Sequence, residues 1–376
     1  MRRARASSRV LATAGQHTSR ADADPAVDLG RAIRPAGATP RHDLGRPQAG
    51  AVPSRLTVRL VLIVNPFSSS VTARARVVIR KALSADHDVE MVETQRRDHA
   101  ARLAKGAAAD GADVVVVLGG DGTLNEAANG LVGTTTALAA LPGGSTNVFA
   151  RTIGLANDPI EATGELLDAL AAGSIHRVGL GSVNGRYFLF HIGLGYDAAV
   201  IEQVERRPQL KRYAGHPLYV YAAFSTWFRH FDRSRPRFEV AFPDEPAPGV
   251  VDDGYFTVIL NTNPYTYLGN RPLDIAPSAS LESPLVAITI RSMRLDTILR
   301  VVAAAVRGGG RVGRIGAVDE RLGVTAIEVT GQGPFPYQVD GDHLGDIERL
   351  SIRHEPEILD MVLPVRPSDE ARHDNP

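Results

Sequence analysis

The stretch VVVVLGGDGTLNEAANGL, residues 114–131, constrains the fold of this chain more than any other. Four valines and a leucine in a row are too apolar for a strand with one wet face, so they read as a strand buried on both sides. Strands of that kind belong to parallel sheets covered by helices on both faces. The run stops at Gly119 and Gly120, and helical spacing resumes after Asp121. The glycine turn therefore falls at the carboxyl end of a strand, where open α/β sheets bind their ligands.

The flanking sequence extends this pattern. VRLVLIVNP (58–66) is a second buried strand, followed by a helical stretch over 71–84 and a strand at DVEMVET (88–94). The alanine-rich helix RDHAARLAKGAAAD leads into the valine strand, and the short run ALAAL (137–141) ends in another glycine turn. Strands alternating with helices imply parallel strands joined by right-handed crossovers. From about Ile175 the texture changes. Asn184-Gly185 between two apolar runs signals a hairpin. The runs PRFEVAF, GYFTVILNT, LVAITIRS and VTAIEVTG then recur with turn residues between them, interrupted by a helical patch at 217–231. The expectation is an α/β domain with an open, mainly parallel sheet over 58–173 and a mainly antiparallel β domain over 174–364. A flexible C-terminus, 365–376, follows.

Residues 1–57 carry ten arginines against four aspartates and few long aliphatic runs, the composition of a disordered basic tail. Over the whole chain, 42 basic residues balance 42 acidic ones, so charge gives no argument for nucleic acid. Cysteine is absent, which excludes disulfides and thiolate metal sites. No run approaches the roughly 18 apolar residues of a membrane span, and Arg2-Arg3 is not followed by a signal-peptide core. The expected setting is the cytoplasm. The histidines show no metal-binding spacing. RGGGRVGRIG (307–316), despite its arginines, reads as a connector between a helix and a strand.

Three strand ends carry the chemistry. Gly119 and Gly120 lack Cβ atoms, so backbone N–H groups and a helix N-terminus can approach an anion there. Asp121 suits such a place only if a divalent cation or a ribose hydroxyl is included. LPGGSTNVFAR (141–151) repeats the arrangement with Gly144, Ser145 and Thr146, and VNPFSSS (64–70) adds an asparagine and three serines. Read singly, each loop could be a tight turn. Together they form one rim of donors suited to a polyphosphate.

NPFSSS, GGDGTLNEAANGL and PGGSTNVFAR, in that order, resemble the diacylglycerol kinase catalytic domain family, which includes bacterial lipid kinases and sphingosine and ceramide kinases. LGYDAAVIEQVE, LKRYAGHPLYVYAAF and VDGDHLG (339–345) extend the resemblance over about 58–364. It implies an NAD-kinase-like α/β domain and transfer of the ATP γ-phosphoryl group to a lipid hydroxyl with Mg2+, diacylglycerol to phosphatidic acid being the favoured reaction. By the same resemblance Asn65, Pro66, Phe67, Ser68 and Ser69, and Gly119, Gly120, Asp121, Gly122, Thr123, Leu124 and Asn125, hold the nucleotide phosphates. Thr94, Gly144, Ser145 and Thr146 also approach the nucleotide. Asp342 matches the carboxylate that acts as general base, one methylene shorter than the usual glutamate, and Asp121 is the second catalytic carboxylate. A loose phosphoryl-transfer transition state needs charge stabilisation and positioning more than a strong base, so an aspartate is adequate.

The chain departs from the family pattern in several places. Val148 follows Asn147 where relatives have Asp, and Glu282-Ser283-Pro284 stands where many have the Asp-Asp-Gly of a structural magnesium site. Ser69 replaces a glycine. Asp252-Asp253-Gly254 lies too early to substitute and reads as a strand-entry turn. The implied partner is a lipid alcohol at a membrane surface, reached by peripheral association through an apolar edge of the β domain, with help from the arginine tail; the aromatic patch PLYVYAAFSTWFRHF fits either a membrane-facing surface or burial against the β domain. An exposed β edge would permit a homodimer. Two other readings fit part of the pattern: an NAD kinase, which shares GGDGT, and a catalytically impaired nucleotide- or lipid-binding protein.

Overall fold

The computed structural model describes residues 57–206, 226, 232–245 and 249–365. The arginine-rich segment 1–56, LKRYAGHPLYVYAAF, nearly all of the patch at 217–231 and the terminus from 366 lie outside the described residues.

The first half alternates as its apolar runs require. β1 (Arg59–Val64), α1 (Ala73–Leu83), β2 (Asp88–Glu93), α2 (His99–Ala109), β3 (Val114–Gly119), α3 (Asp121–Leu131) and β4 (Ala137–Pro142) follow in turn, then the short α4 (Val148–Thr152) and α5 (Pro159–Ala171). All four strands are parallel, in the spatial order β4-β3-β1-β2. β3 and β4 are buried at every position, as both-face burial demands, whereas the edge strand β2 is half-buried. Thr72 caps α1 by accepting from Ala75 N–H at 3.0 Å, and Asp158 caps α5 on Ile160 and Glu161, so both helices start where a side-chain acceptor appears.

The second half is antiparallel. β5 (Ile175–Val183) and β6 (Arg186–Phe188) are joined through Asn184 and Gly185, both at positive φ, the backbone a two-residue hairpin needs. β7 (His191–Gly195) leads into α6 (Tyr196–Glu205); β8 (Phe238–Ala241), β9 (Val250–Gly254) and β10 (Phe256–Leu260) follow. A small hairpin, β11 (Thr266–Leu268) and β12 (Arg271–Leu273), precedes β13 (Leu285–Ile290) and α7 (Leu295–Arg307). A 3-10 turn at Val312–Arg314 and β14 (Val318–Val324) come next, then β15 (Ala326–Val339) and β16 (Asp342–Val362).

Two features differ from the sequence expectation. Asp252 and Asp253 lie inside β9, where Asp253 pairs with Arg291 at 2.6 Å; they do not form a strand-entry turn. The 21-residue β16 was not expected as a strand, because Pro356 and the positive φ of Glu357 interrupt its alternation. It pairs antiparallel with β15 and β5 and meets β4 in parallel at Met361 and Leu138. Among the described residues one hydrogen-bonded sheet thus runs from β2 to β14. RGGGRVGRIG does connect helix to strand, with Gly308, Gly309 and Gly310 all at positive φ.

The β3–β4 ladder continues past the strand ends, since Gly143 N–H donates to Gly119 O at 2.8 Å. A Cβ on Gly143 would lie 2.8 Å from Gly119 N and 2.9 Å from Gly119 Cα; one on Gly144 would lie 2.9 Å from Gly120 Cα. Both obstacles are backbone, which cannot swing aside. Gly143→Ala is therefore expected to destabilise the fold by about 1–3 kcal/mol in denaturant unfolding. Gly164→Ala, in α5 with nothing near its missing Cβ, should be neutral or stabilising by up to about 1 kcal/mol. Equal behaviour of the two variants would refute the close approach as the reason for the glycines.

Candidate active site

Three loops meet where β1, β3 and β4 end. Asn65 turns the first loop on itself, its Oδ1 accepting from Phe67 N–H at 3.0 Å, and ties it to α3 by donating from Nδ2 to Thr123 Oγ1 at 2.8 Å. Ser68 N–H bonds back to Asn65 O, while Ser70 reaches the third loop through N–H to Gly143 O and Oγ to Gly144 O. Phe67 is 73% exposed and Ser69 is exposed, so this rim faces solvent; Pro66 lies between Asn65 and Phe67. Thr94 follows β2, buried, its N–H held by Val64 O.

In the second loop Gly120 opens α3 without a side-chain cap. The first-turn N–H groups of a helix have no intrahelical partner, so those around Gly122 and Thr123 favour an external anion. Leu124 is anchored in the core. Asp121 is turned toward α4: its carboxylate accepts from Val148 N–H at 2.9 Å and Phe149 N–H at 3.0 Å. Burial pushes the Asp121 carboxyl up, against those two hydrogen bonds. Asn125 is 1% exposed, and its amide donates to Tyr187 O and to Asp340 Oδ2 at 2.7 Å. The Asp121 and Asn125 side chains, expected at the phosphates, are thus engaged within the protein. In the third loop Gly144 N–H donates to Asn147 Oδ1, and the Ser145 and Thr146 hydroxyls sit 3.5 Å apart.

The turn between β15 and β16 brings the expected base to these loops. Asp342 Oδ1 lies 3.9 Å from where a Gly122 Cβ would be, at the head of α3. Arg186 Nη2 approaches Asp342 Oδ2 at 3.1 Å and Asn125 Oδ1 at 3.2 Å; Arg97 Nη2 approaches Asp342 Oδ1 at 3.5 Å. Arg97 and Arg186 went unremarked in the sequence, although Arg97 stands three residues after Thr94.

Asp340, in the turn between β15 and β16, is buried. Its carboxylate accepts from the N–H groups of Leu189 (2.7 Å), Phe190 and His191 (both 3.0 Å) and from the Asn125 amide. Burial raises its pKa to about 7, the four donors opposing. Asp340 thereby fixes the β6–β7 connection, α3 and the turn carrying Asp342 relative to one another. A second buried carboxylate, Asp197, accepts from Tyr265 Oη and from Gln338 Nε2 at 2.9 Å, and burial raises its pKa too.

Among the described residues no group of three or more histidines and carboxylates is placed to hold a metal. The Glu282-Ser283-Pro284 stretch is closed by the Ser283 hydroxyl on Ser278 O and Ser280 O. Of the two carboxylates at the head of α3, Asp121 is held by the N–H groups of α4, and Asp342 stands beside Gly122.

Residues 59–183 match the family model of the diacylglycerol kinase catalytic domain. A diacylglycerol kinase of Bacillus subtilis (strain 168) is 33% identical over 141 residues, 36% of this chain and 46% of that protein. A diacylglycerol kinase of Staphylococcus aureus (strain JH9) is 28% identical over 230 residues, 54% of this chain and 70% of that protein. The matches thus span about half of the first relative and somewhat over two thirds of the second. The crystal structure of a diacylglycerol kinase from Bacillus anthracis str. Sterne superposes with a TM-score of 0.62 at 18% identity, covering 83% of this chain and 98% of that one. A second solved chain from that organism gives a TM-score of 0.65 at 19% identity, covering 83% and 99%. At these identities the superpositions establish the fold: a mainly parallel α/β half followed by an antiparallel one.

His191 supplies a pH test of this buried junction. Its ring lies 4.9 Å from that of Phe190 and 4.6 Å from that of Tyr265, and its Nδ1 has no hydrogen-bond partner. Burial lowers its pKa to about 3, so the folded protein keeps it neutral while the unfolded chain protonates it below about 6.5. The stability that depends on a neutral His191 is complete above pH 6.5 and is lost as pH falls toward 3. In denaturant titrations the stability of the wild type relative to His191→Phe should fall by about 3 kcal/mol between pH 7 and pH 4. A constant difference would show that the ring is protonated or hydrated in the folded state.

Proposed function

We propose that this chain, which belongs through residues 59–183 to the diacylglycerol kinase catalytic domain family, transfers the γ-phosphoryl group of ATP to a lipid hydroxyl, with diacylglycerol as acceptor. The observation that carries the reading is Asp342 at the head of α3, beside Gly122 and paired with Arg186. The ATP phosphates lie against the three loops, where N–H groups of α3 and the hydroxyls of Ser145 and Thr146 face them. A divalent cation bound with the nucleotide would neutralise phosphate charge; Asp342 is the carboxylate beside the head of α3 that would meet it, since both Asp121 oxygens are held by α4. Asp342 accepts the proton of the lipid hydroxyl as its oxygen attacks the γ-phosphorus and the bond to the β-phosphate oxygen breaks. Arg186 and Arg97 supply positive charge to the equatorial oxygens of a loose transition state.

One observation favours a second reading, a binding protein with impaired chemistry. Val148 brings no carboxylate to the site, and Asp121 is occupied by two backbone N–H groups.

Transfer of labelled γ-phosphate with Mg2+ to diacylglycerol, sphingosine, ceramide and phosphatidylglycerol in mixed micelles, and to NAD, separates these readings. Label is expected on diacylglycerol. Asp342→Asn should lower kcat by roughly 10²- to 10⁴-fold while ATP binding persists. Label on NAD would refute the lipid assignment, and ATP binding without transfer to any acceptor would favour the binding protein.

A further inference from the structure

Helix α7 presents an apolar stripe to solvent. Leu295, Leu299, Val302 and Val306 are 49%, 56%, 49% and 39% exposed, and their spacing of four, three and four residues keeps them on one face. The opposite face, with Thr297, Ala304 and Ala305, is buried against the core that includes Val258, Ile288 and Leu273. A helix with one apolar face in the core needs no second one for stability, so the exposed stripe calls for a partner.

The charge around the stripe identifies that partner's chemistry. Residues 294–314 contain Arg294, Arg300, Arg307, Arg311 and Arg314 against the single acid Asp296, a net of +4 by this count, which Asp274 on Gly309 N–H and Glu320 beside Gly313 offset in part. Arg294 and Arg300 share Asp296, at 3.3 and 2.6 Å. Among the described residues Arg307 and Arg311 bond only to backbone carbonyls, of Ala303, Arg307 and Gly308, and the three glycines between them let the chain turn so that both remain exposed. Apolar side chains in a stripe with arginines beside them match the boundary of an anionic bilayer, acyl chains below and phosphate headgroups at the rim. A second copy would set this cluster against itself. The chain's own uncovered segments fit no better: residues 207–231 hold Arg207, Lys211, Arg212 and Arg229 with no acid, and the N-terminal segment is also basic.

We propose that α7 and the glycine–arginine segment behind it, residues 294–314, form the surface on which the protein lies against an anionic lipid bilayer. This rests on the lipid-kinase reading and specifies how the enzyme meets its substrate. The surface is also linked to the site. α7 packs with β12, whose hairpin touches α4: Arg151 lies 3.6 Å over the Tyr267 ring and donates to Gly269 O at 3.1 Å. α4 is the helix that follows Ser145 and Thr146.

Co-sedimentation of the full chain with vesicles of phosphatidylcholine alone, or mixed with phosphatidylglycerol, tests the proposal. The wild type should bind the mixed vesicles strongly and the neutral ones weakly. Leu299→Gln/Val302→Gln should lose roughly tenfold or more on both. Arg307→Gln/Arg311→Gln should lose roughly tenfold on the mixed vesicles and little on the neutral ones. All four positions are exposed, and thermal unfolding checks that the variants fold. Unchanged binding by both variants would overturn the surface. So would a wild-type dimer in light scattering that becomes monomeric in Leu299→Gln/Val302→Gln while vesicle binding stays intact. Turnover of a water-soluble short-chain diacylglycerol keeps the two readings apart. Retained turnover in variants that no longer bind vesicles supports the surface, and α7-dependent vesicle binding with no lipid phosphorylated refutes the kinase reading alone.

Discussion

The site depends on one contact: the backbones of Gly119-Gly120 and Gly143-Gly144 touch, with no space for a Cβ at 143 or 144. Because the β3–β4 ladder runs on through Gly143 N–H to Gly119 O, the loops that follow the two strands leave the sheet side by side. α3 and α4 therefore start as neighbours, close enough for Asp121 in the first turn of α3 to cap α4. Ser70 then fastens the first loop to both glycines of the third. Three segments distant in sequence become one rim before any ligand arrives. For the transfer proposed above, a rim of fixed dipoles would stabilise the phosphoryl group without reorganising, which is usually the largest single contribution to such chemistry.

Local chemistry made the first half legible. Buried parallel strands announce themselves as unbroken apolar runs, and the turns that end them need glycine, asparagine or proline, so Arg59–Val64, Val114–Gly119 and the three loops can all be read without partners. What joins the halves is not local. Asp340 and Gly341 look like any Asp-Gly turn, yet the Asp340 carboxylate gathers three N–H groups about 150 residues upstream and the amide of Asn125. No spacing or periodicity encodes that convergence. The same holds for β16, whose alternation is broken at Pro356 although its ladder resumes beyond, at Leu359.

Val148 has a different meaning in the structure than in the sequence. As a missing carboxylate it suggests only loss. In place it is buried, opens α4 and supplies one of the two N–H groups that hold Asp121. An additional carboxylate there would stand beside Asp121, whose charged form burial already disfavours. Removing it leaves the head of α3 less negative, which favours a polyphosphate and disfavours a cation held by protein ligands alone.

The two arginines on Asp342 are not equivalent. Arg97 is 72% exposed and 3.5 Å away, a solvent-screened pair worth little. Arg186 is 31% exposed and also holds Asn125 Oδ1, so the same amide that positions Asp340 orients the guanidinium on Asp342. If Asp342 is the base of the proposed transfer, Arg186 holds its Oδ2 while Oδ1, the oxygen nearer Gly122, keeps only the longer, solvent-screened approach of Arg97. A carboxylate with one oxygen fixed and the other toward the loops suits a base whose task is to direct a hydroxyl along the line of attack rather than to remove its proton early.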